Sequence, residues 1–198
     1  MSRLIESIRI SDGRVSNLPQ HTCRMQRACR EYLNMKESWD LESLLSQQKI
    51  PNTGLYKCRV LYDEKNVSIE FGAYQQRTVR SLKIVHDNSI SYEYKFADRN
   101  RIDNLFAMRE DCDDILIIRD GFITDSSNAN VIFQYANDWV TPESCLLKGT
   151  MRQSLLDAGK ITTQKITLES LGEFRSCKLI NAMILDQSQE IPIDAILR

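Results

Sequence analysis

Lysine is an excellent covalent catalyst when its amine is partly removed from water, and Lys95 has a sequence environment that suits this role. It lies in SYEYKFADRN (91–100), between aromatic residues that predict a β-strand and Asp98, which predicts the N-cap of a helix. An amine partly removed from water can be neutral near pH 7 and can then form a Schiff base with an aldehyde. Lys95 is therefore a candidate catalytic residue; the alternative is an ordinary solvated lysine at a strand end.

Two later segments carry polar groups suited to holding a ligand. In GFITDSSNAN (121–130), small and polar residues separate two predicted strands, so that the backbone could approach a ligand closely. In LLKGTMRQ (146–153), Gly149 and Thr150 open a predicted helix, and the N–H groups at the start of a helix suit a phosphate. The alternative for each segment is an ordinary turn or helix cap.

The composition favours a small-molecule partner. A chain of 198 residues can bury a core as one large domain or as two small ones with a cleft between them. The 26 Lys+Arg and 27 Asp+Glu residues leave a formal net charge of −1. A net charge so close to zero produces no overall field that would draw the protein to nucleic acid or to an acidic membrane. Six cysteines without a CxxC pair, and only two histidines, argue against a metal site and favour free thiols. With no signal core or membrane-spanning stretch, we expect a cytoplasmic protein.

The elements that must position these residues alternate between strands and helices, which predicts an α+β chain. In the first part the pattern predicts strands at 4–10, 55–62, 66–74 and 77–86, the last three as an antiparallel meander, and helices beginning near Pro19, at Ser38 and at 98. Hairpins are predicted within 114–125 and 130–142, then a helix from Gly149, a strand at 161–166, a helical piece from Thr167 and a strand at 178–185. The predicted domain boundary lies at 87–91.

These segments, in this order and spacing, resemble the class IV aminotransferases, the fold-type IV pyridoxal-phosphate enzymes. The matching pieces are Lys95 with Arg99, GFITDSSNANVIF (121–133), WVTP (139–142), LLKGTMRQ (146–153), LIESIR (4–9) and the His-x-x-Arg of HTCRMQRAC (21–29). The resemblance implies a two-domain α+β fold like that of D-amino acid aminotransferase, with domains 1–88 and 89–198, pyridoxal 5′-phosphate in the cleft, and a homodimer. Relatives carry an N-terminal hairpin before the segment matching LIESIR, so an N-terminal deletion is expected.

The resemblance also implies roles for individual residues. Lys95 falls where the family has its Schiff-base lysine, which also moves the Cα proton. Asp125 falls where the family usually has a glutamate paired with the pyridine nitrogen; such a carboxylate keeps that nitrogen protonated. Arg24 matches the phosphate-binding arginine, with Arg27 as the alternative. The other residues implied for the cofactor site are Ser126, Asn130, Gly149, Thr150 and Met151.

Two arginines are candidates for contact with the substrate. Arg152 is implied to be either structural or substrate-facing. Arg59 could face a substrate carboxylate, although an ordinary outward strand position is the favoured interpretation.

Three functions are compatible with the resemblance. The first is 4-amino-4-deoxychorismate lyase, which releases pyruvate and 4-aminobenzoate for folate synthesis; it needs a single substrate, and GTMRQ (149–153) looks closer to the lyases than to the branched-chain transaminases. The second is an amino acid transaminase of the branched-chain or D-amino acid type. The third is a non-catalytic relative that acts as a binding module.

Overall fold

The chain folds into two compact units. The computed structural model describes residues 2–198. The first unit runs to Gln76 and also takes in Tyr94–Asp98, and the second comprises Arg77–Glu93 and Arg99–Arg198. This division differs from the expected domains 1–88 and 89–198. The difference has a physical reason, because a strand after residue 77 pairs within the second unit, while the backbone around Lys95 bonds to the first strand of the first unit.

The first unit is an antiparallel sheet covered by a helix. Its elements are β1 (Leu4–Ser11), β2 (Arg14–Val15), α1 (Leu18–Glu31), α2 (Leu41–Ser46), β3 (Leu55–Tyr62) and β4 (Val67–Ala73). The strand order is β2-β1-β3-β4. Alternate residues of β1 point inward, and Ile8 and Ile10 form a core with Met25 and Ala28 of α1. The predictions of β1, α1 and β3 are confirmed; α2 begins later than predicted, at Leu41, because Asp40 caps it.

The second unit contains two sheets around one apolar core. Its elements are β5 (Leu82–His86), α3 (Asn100–Ala107), β6 (Asp114–Arg119), β7 (Phe122–Ile123), β8 (Asn130–Tyr135), β9 (Asp138–Pro142), α4 (Thr150–Asp157), β10 (Thr162–Gln164), β11 (Ser176–Ile180), β12 (Ile191–Pro192), β13 (Ile196–Leu197) and the 3₁₀ helices Glu169–Glu173 and Ile193–Ala195. The sheet orders are β13-β5-β6-β7 and β10-β9-β8-β11-β12. Residues of both sheets, including Leu116 and Phe133, share the core. Within residues 2–198, no helix has the length and apolar composition needed to cross a membrane.

The predicted meander is wrong in its third strand. Residues 77–81 form no strand, and β5 pairs in parallel with β6 and β13 instead of extending the first sheet. The apolar run of β5 suits a strand with neighbours on both sides, whereas the polar stretch before it does not. The last predicted strand, 178–185, is also displaced: β11 ends at Ile180, where the side chain of Asn181 accepts hydrogen bonds from the amides of Met183 and Ile184 and forms a turn.

The surroundings of Lys95 also differ from the prediction. The aromatic run before Lys95 is not a regular strand; its segment makes one isolated β-bridge, between Phe96 and Leu4. The following helix, α3, begins at Asn100, and Arg99 rather than Asp98 occupies its N-cap. Lys95 therefore lies in an irregular segment whose backbone is hydrogen-bonded to β1 of the first unit.

Candidate active site

Lys95 is held by backbone hydrogen bonds to β1. Its carbonyl accepts a hydrogen bond from the amide of Ile5 at 2.9 Å, and the amide of Ala97 donates to the carbonyl of Arg3 at 2.8 Å. Since β3 occupies the other edge of β1 along its whole length, this segment covers the edge that β2 leaves open. The backbone at and after Lys95 is thus hydrogen-bonded to β1, an internal strand of the first sheet.

Aromatic packing anchors the same segment to the end of α1. The rings of Tyr94 and Phe96 pack against Tyr32, the C-cap residue of α1, with centroids 5.3 and 5.1 Å away. The hydroxyl of Tyr94 donates to Glu31 at 3.3 Å, and the guanidinium of Arg27 lies 5.4 Å from the Tyr94 ring centroid. Lys95 itself is half-buried between these two anchors. Arg27, the alternative phosphate ligand, lies within this aromatic group.

A fully buried carboxylate, Glu6, joins α1 to β1. Arg24 donates to Glu6 twice, from Nε to Oε1 at 2.9 Å and from Nη2 to Oε2 at 2.5 Å, and the side chain of Arg24 is only 11% exposed. His21 Nδ1 lies 2.6 Å from Glu6 Oε2. Burial alone would raise the pKa of Glu6, but the charge of Arg24 and the bond from His21 outweigh it and lower the pKa to about 2. Glu6 is therefore ionised at neutral pH and fixes Arg24 by a bidentate pair.

His21 completes this group as a neutral donor. Burial lowers the pKa of His21, and the positive charges of Arg24 and Lys95 lower it further, while the bond to Glu6 acts in the opposite direction. Because the ionised Glu6 can only accept, the neutral imidazole must carry its proton on Nδ1. The influence of the Lys95 charge on His21 also shows that Lys95 and Arg24, two of the predicted site residues, share one electrostatic neighbourhood in the first unit.

In the second unit, Asp125 is buried among hydrogen-bond donors. Its Oδ1 accepts from Asn130 Nδ2 at 2.7 Å, and its Oδ2 accepts from the amides of Leu146 and Leu147, both at 3.0 Å. Burial raises the pKa of Asp125 to about 6, even though these donors and the charge of Arg152 favour the ionised form. The carboxylate ties the segment that follows β7 to the turn that leads into α4.

Asn130 braces the same turn from the start of β8. Its Nδ2 donates to the carbonyl of Leu147 at 2.8 Å as well as to Asp125. Its Oδ1 faces Gly149, where an added Cβ would lie only 2.0 Å from that oxygen. Gly149 is the N-cap of α4 and makes no side-chain cap, so the helix presents its first backbone N–H groups at Thr150 and Met151. Glycine is thus required by the close approach of Asn130.

Ser126 closes the short turn that precedes Asn130. Its hydroxyl donates to the carbonyl of Ala129 and accepts from the amide of the same residue, both at 3.1 Å. Ser126 is itself buried. The small-residue segment predicted to approach a ligand is therefore a compact turn stabilised by its own side chains.

Replacing Gly149 with alanine is expected to destabilise the chain by about 2 kcal/mol, because either Asn130 or the turn must move to relieve the overlap. Chemical denaturation measures the change in the free energy of unfolding. Gly172 is a matched control, since nothing lies within 4 Å of a Cβ added there. Equal effects of the two substitutions would contradict the assigned contact.

The two candidate substrate arginines lie in different environments. Arg152 is buried, and it donates from Nε to the Thr141 hydroxyl at 3.3 Å and from Nη2 to the carbonyl of Pro142 at 3.1 Å, which supports its structural interpretation. Arg59 is exposed on β3, opposite Ser7 and Glu70, as an outward strand residue.

The predicted cofactor residues fall into two groups, one in each unit. The first unit brings together Lys95 and Arg24, and the second brings together Asp125, Ser126, Asn130, Gly149, Thr150 and Met151. Sequence reasoning assigned no role to Glu6, which organises the first group. A signal existed, because Glu6 occupies an inward position between the apolar residues Leu4 and Ile8 of an alternating strand, and a charge at such a position requires a buried partner.

Comparison with known proteins identifies the family. The sequence matches the model of amino-transferase class IV over residues 3–185. It is 37% identical over 186 residues to an uncharacterized protein of Haemophilus influenzae, which spans 92% of this chain and 98% of the relative. It is 25% identical over 180 residues to the "Putative aminodeoxychorismate lyase" of Schizosaccharomyces pombe, spanning 81% of this chain and 75% of the relative.

A solved structure is similar over nearly its whole length. The crystal structure of "a putative 4-amino-4-deoxychorismate lyase" from Haemophilus somnus 129PT superposes with a TM-score of 0.87 and 35% sequence identity, covering 92% of this chain and 97% of that one. The class IV match covers most of the sequence. The chain therefore belongs to the class IV aminotransferases, a family of pyridoxal-phosphate-dependent enzymes.

Proposed function

We propose that this enzyme cleaves 4-amino-4-deoxychorismate into 4-aminobenzoate and pyruvate. The observation that carries the choice of substrate is the 35% identity, over 92% of this chain, to the Haemophilus somnus protein named for that reaction. The product 4-aminobenzoate is a building block for folate, so the proposed reaction belongs to folate synthesis.

The chemistry of the described residues fits pyridoxal phosphate. Lys95 supplies the amine, and Arg24 supplies a fixed cation for the phosphate. The backbone N–H groups at the start of α4 are a second anion-binding element. A carboxylate has about four lone-pair sites, and Asp125 uses three of them within the protein, which leaves one for a protonated ring nitrogen.

Lys95 is the residue that moves the proton. When bound, the cofactor supplies an electron sink for the pair left when a proton is removed from the amino-bearing carbon of the substrate. The Lys95 amine takes that proton, the C–O bond on the neighbouring carbon breaks, and the enolpyruvyl group leaves with the bonding electrons. Lys95 then returns the proton to the leaving group, which becomes pyruvate, while the ring becomes aromatic.

The surroundings of Lys95 suit this role. Its backbone is fixed to Ile5, which gives the side chain a defined point of attachment, and positioning of a reacting group can supply a large part of a rate enhancement. The ionised Glu6 is already paired with Arg24, and His21 is neutral.

The function is tested by supplying 4-amino-4-deoxychorismate to the full chain loaded with pyridoxal phosphate. The proposal predicts pyruvate, measured through NADH consumption with lactate dehydrogenase, in equal amount to 4-aminobenzoate measured by chromatography. A transaminase would instead convert amino acids with 2-oxoglutarate and release no pyruvate from this substrate. A non-catalytic relative would do neither, and either of these results would contradict the proposal.

A further inference from the structure

A buried acid in β1 controls the cation that the first unit offers to the cofactor. We propose that Glu6 is a positioning residue that fixes the guanidinium of Arg24 for the cofactor phosphate, an inference that rests on the proposed function. Glu6 does not touch the phosphate in this account; it acts through Arg24.

The bidentate contact with Glu6 determines the orientation of the Arg24 guanidinium. Both Nε and Nη2 of Arg24 bond to the two oxygens of one carboxylate, which leaves the planar guanidinium a single orientation. A guanidinium has five N–H donors, and a single carboxylate cannot engage all of them. The same guanidinium can therefore bind a second anion. His21 fixes the carboxylate in turn through its Nδ1. The chain of contacts runs from His21 through Glu6 to Arg24.

The burial of Glu6 argues against a role in stability alone. Glu6 has no exposed surface and shares the inward face of β1 with Leu4 and Ile8. Replacing a buried ion pair by apolar residues of similar volume is often neutral or stabilising, so packing alone does not explain a carboxylate at this position. Bidentate placement of a cation does explain it.

The position of Glu6 in the strand links the two functional groups of the first unit. The residue before Glu6, Ile5, holds the carbonyl of Lys95, while the side chain of Glu6 holds Arg24. Two consecutive residues of β1 thus hold the backbone that carries the amine and the guanidinium of the proposed phosphate ligand. The same strand is bonded to β3 from Leu4 to Ser11, which makes it a rigid support.

The experiment compares two ligands that differ only in the phosphate. The full chain, freed of cofactor, is titrated with pyridoxal phosphate and with pyridoxal, and binding is followed by the visible absorption of the lysine adduct. Glu6→Gln keeps the shape of the side chain but loses its charge. We expect it to weaken binding of pyridoxal phosphate by about 10- to 100-fold and to leave binding of pyridoxal unchanged. Arg24→Gln should show the same selective loss, and the double variant should be no weaker than Arg24→Gln alone.

Controls separate this inference from the proposed function. Glu70→Gln, an exposed charge change on β4 of the same sheet, should alter neither affinity.

If Glu6→Gln does not fold, Glu6→Asp serves instead. It keeps the charge but is too short to hold both guanidinium nitrogens, so it should show a smaller selective loss. An equal loss for both ligands, or a selective loss in Arg24→Gln with none in the Glu6 variants, overturns the inference. If the unaltered chain binds pyridoxal phosphate nowhere, the proposed function itself fails.

Discussion

Replacing Lys95 with alanine is expected to reduce pyruvate release from 4-amino-4-deoxychorismate by at least about 10³-fold, because one amine provides both the covalent attachment and the proton transfer. Lys95→Arg should be equally inactive. It keeps the positive charge and most of the length, but a guanidinium stays protonated in proteins and cannot act as either nucleophile or base. The measurement is the initial rate of pyruvate formation at saturating cofactor.

The matched control for this prediction is Lys65→Ala. Lys65 is an exposed lysine in the turn between β3 and β4, where its backbone amide bonds to Asp63. Its removal should leave the rate unchanged. Pyruvate formation by Lys95→Ala at more than about a tenth of the normal rate would exclude the proposed proton transfer, since general acid–base catalysis alone contributes about 10²–10⁴-fold.

Replacing Asp125 with alanine is expected to lower the free energy of unfolding by about 3 kcal/mol or more, because buried amides then lose their acceptor. The two affected amides, of Leu146 and Leu147, lie in the turn that leads to α4. The variant should also retain pyridoxal phosphate poorly, since the start of α4 would no longer be held in place. Urea unfolding and the cofactor content of the purified protein measure the two effects.

The contribution of Asp125 to stability should depend on pH in a defined direction. Burial raises its pKa from 3.8 to about 6, so the folded state binds the proton more tightly than the unfolded state does. The stability from this group is present below pH 3.8 and is lost as the pH rises through 6. Relative to Asp125→Asn, the unaltered chain should lose about 3 kcal/mol between pH 4 and 6 in the absence of cofactor. A constant difference across that range would contradict the assigned burial.

Much of the first unit could be predicted from periodicity. The alternation in β1 and the helical spacing of the apolar residues in α1 each match a single type of element, because their inward faces are apolar. The hairpin of β8 and β9 was marked by polar residues between two apolar runs, and it is confirmed. Where one face of an element is apolar, the local pattern and the packing agree.

The failures arise where long-range pairing decides the structure. The sequence of β5 is compatible with either sheet, and only the partners β6 and β13 place it in the second unit. The segment around Lys95 resembles a strand that opens the second domain, yet its partners are Arg3, Leu4 and Ile5, about 90 residues earlier in the chain. Contacts between residues so far apart leave no periodic signal in either segment.

The candidate site was predicted as a set of residues rather than as a geometry. The motifs selected Lys95, Arg24 and Asp125, but no spacing indicated that Glu6 holds Arg24 or that Asp125 ties down the turn before α4. Both arrangements require groups from separate elements of the chain to come into contact in the protein interior. The inward charge at Glu6 is a local sign of such a contact.

The most direct test of the central claim is the site of cofactor attachment. Protein purified with pyridoxal phosphate is scanned for near-visible absorption, reduced with borohydride, digested and mapped by mass spectrometry. We expect an absorption band that borohydride abolishes and a cofactor mass fixed on the peptide containing Lys95. The absence of a band, or an adduct carried by a different lysine, would contradict the assignment of Lys95.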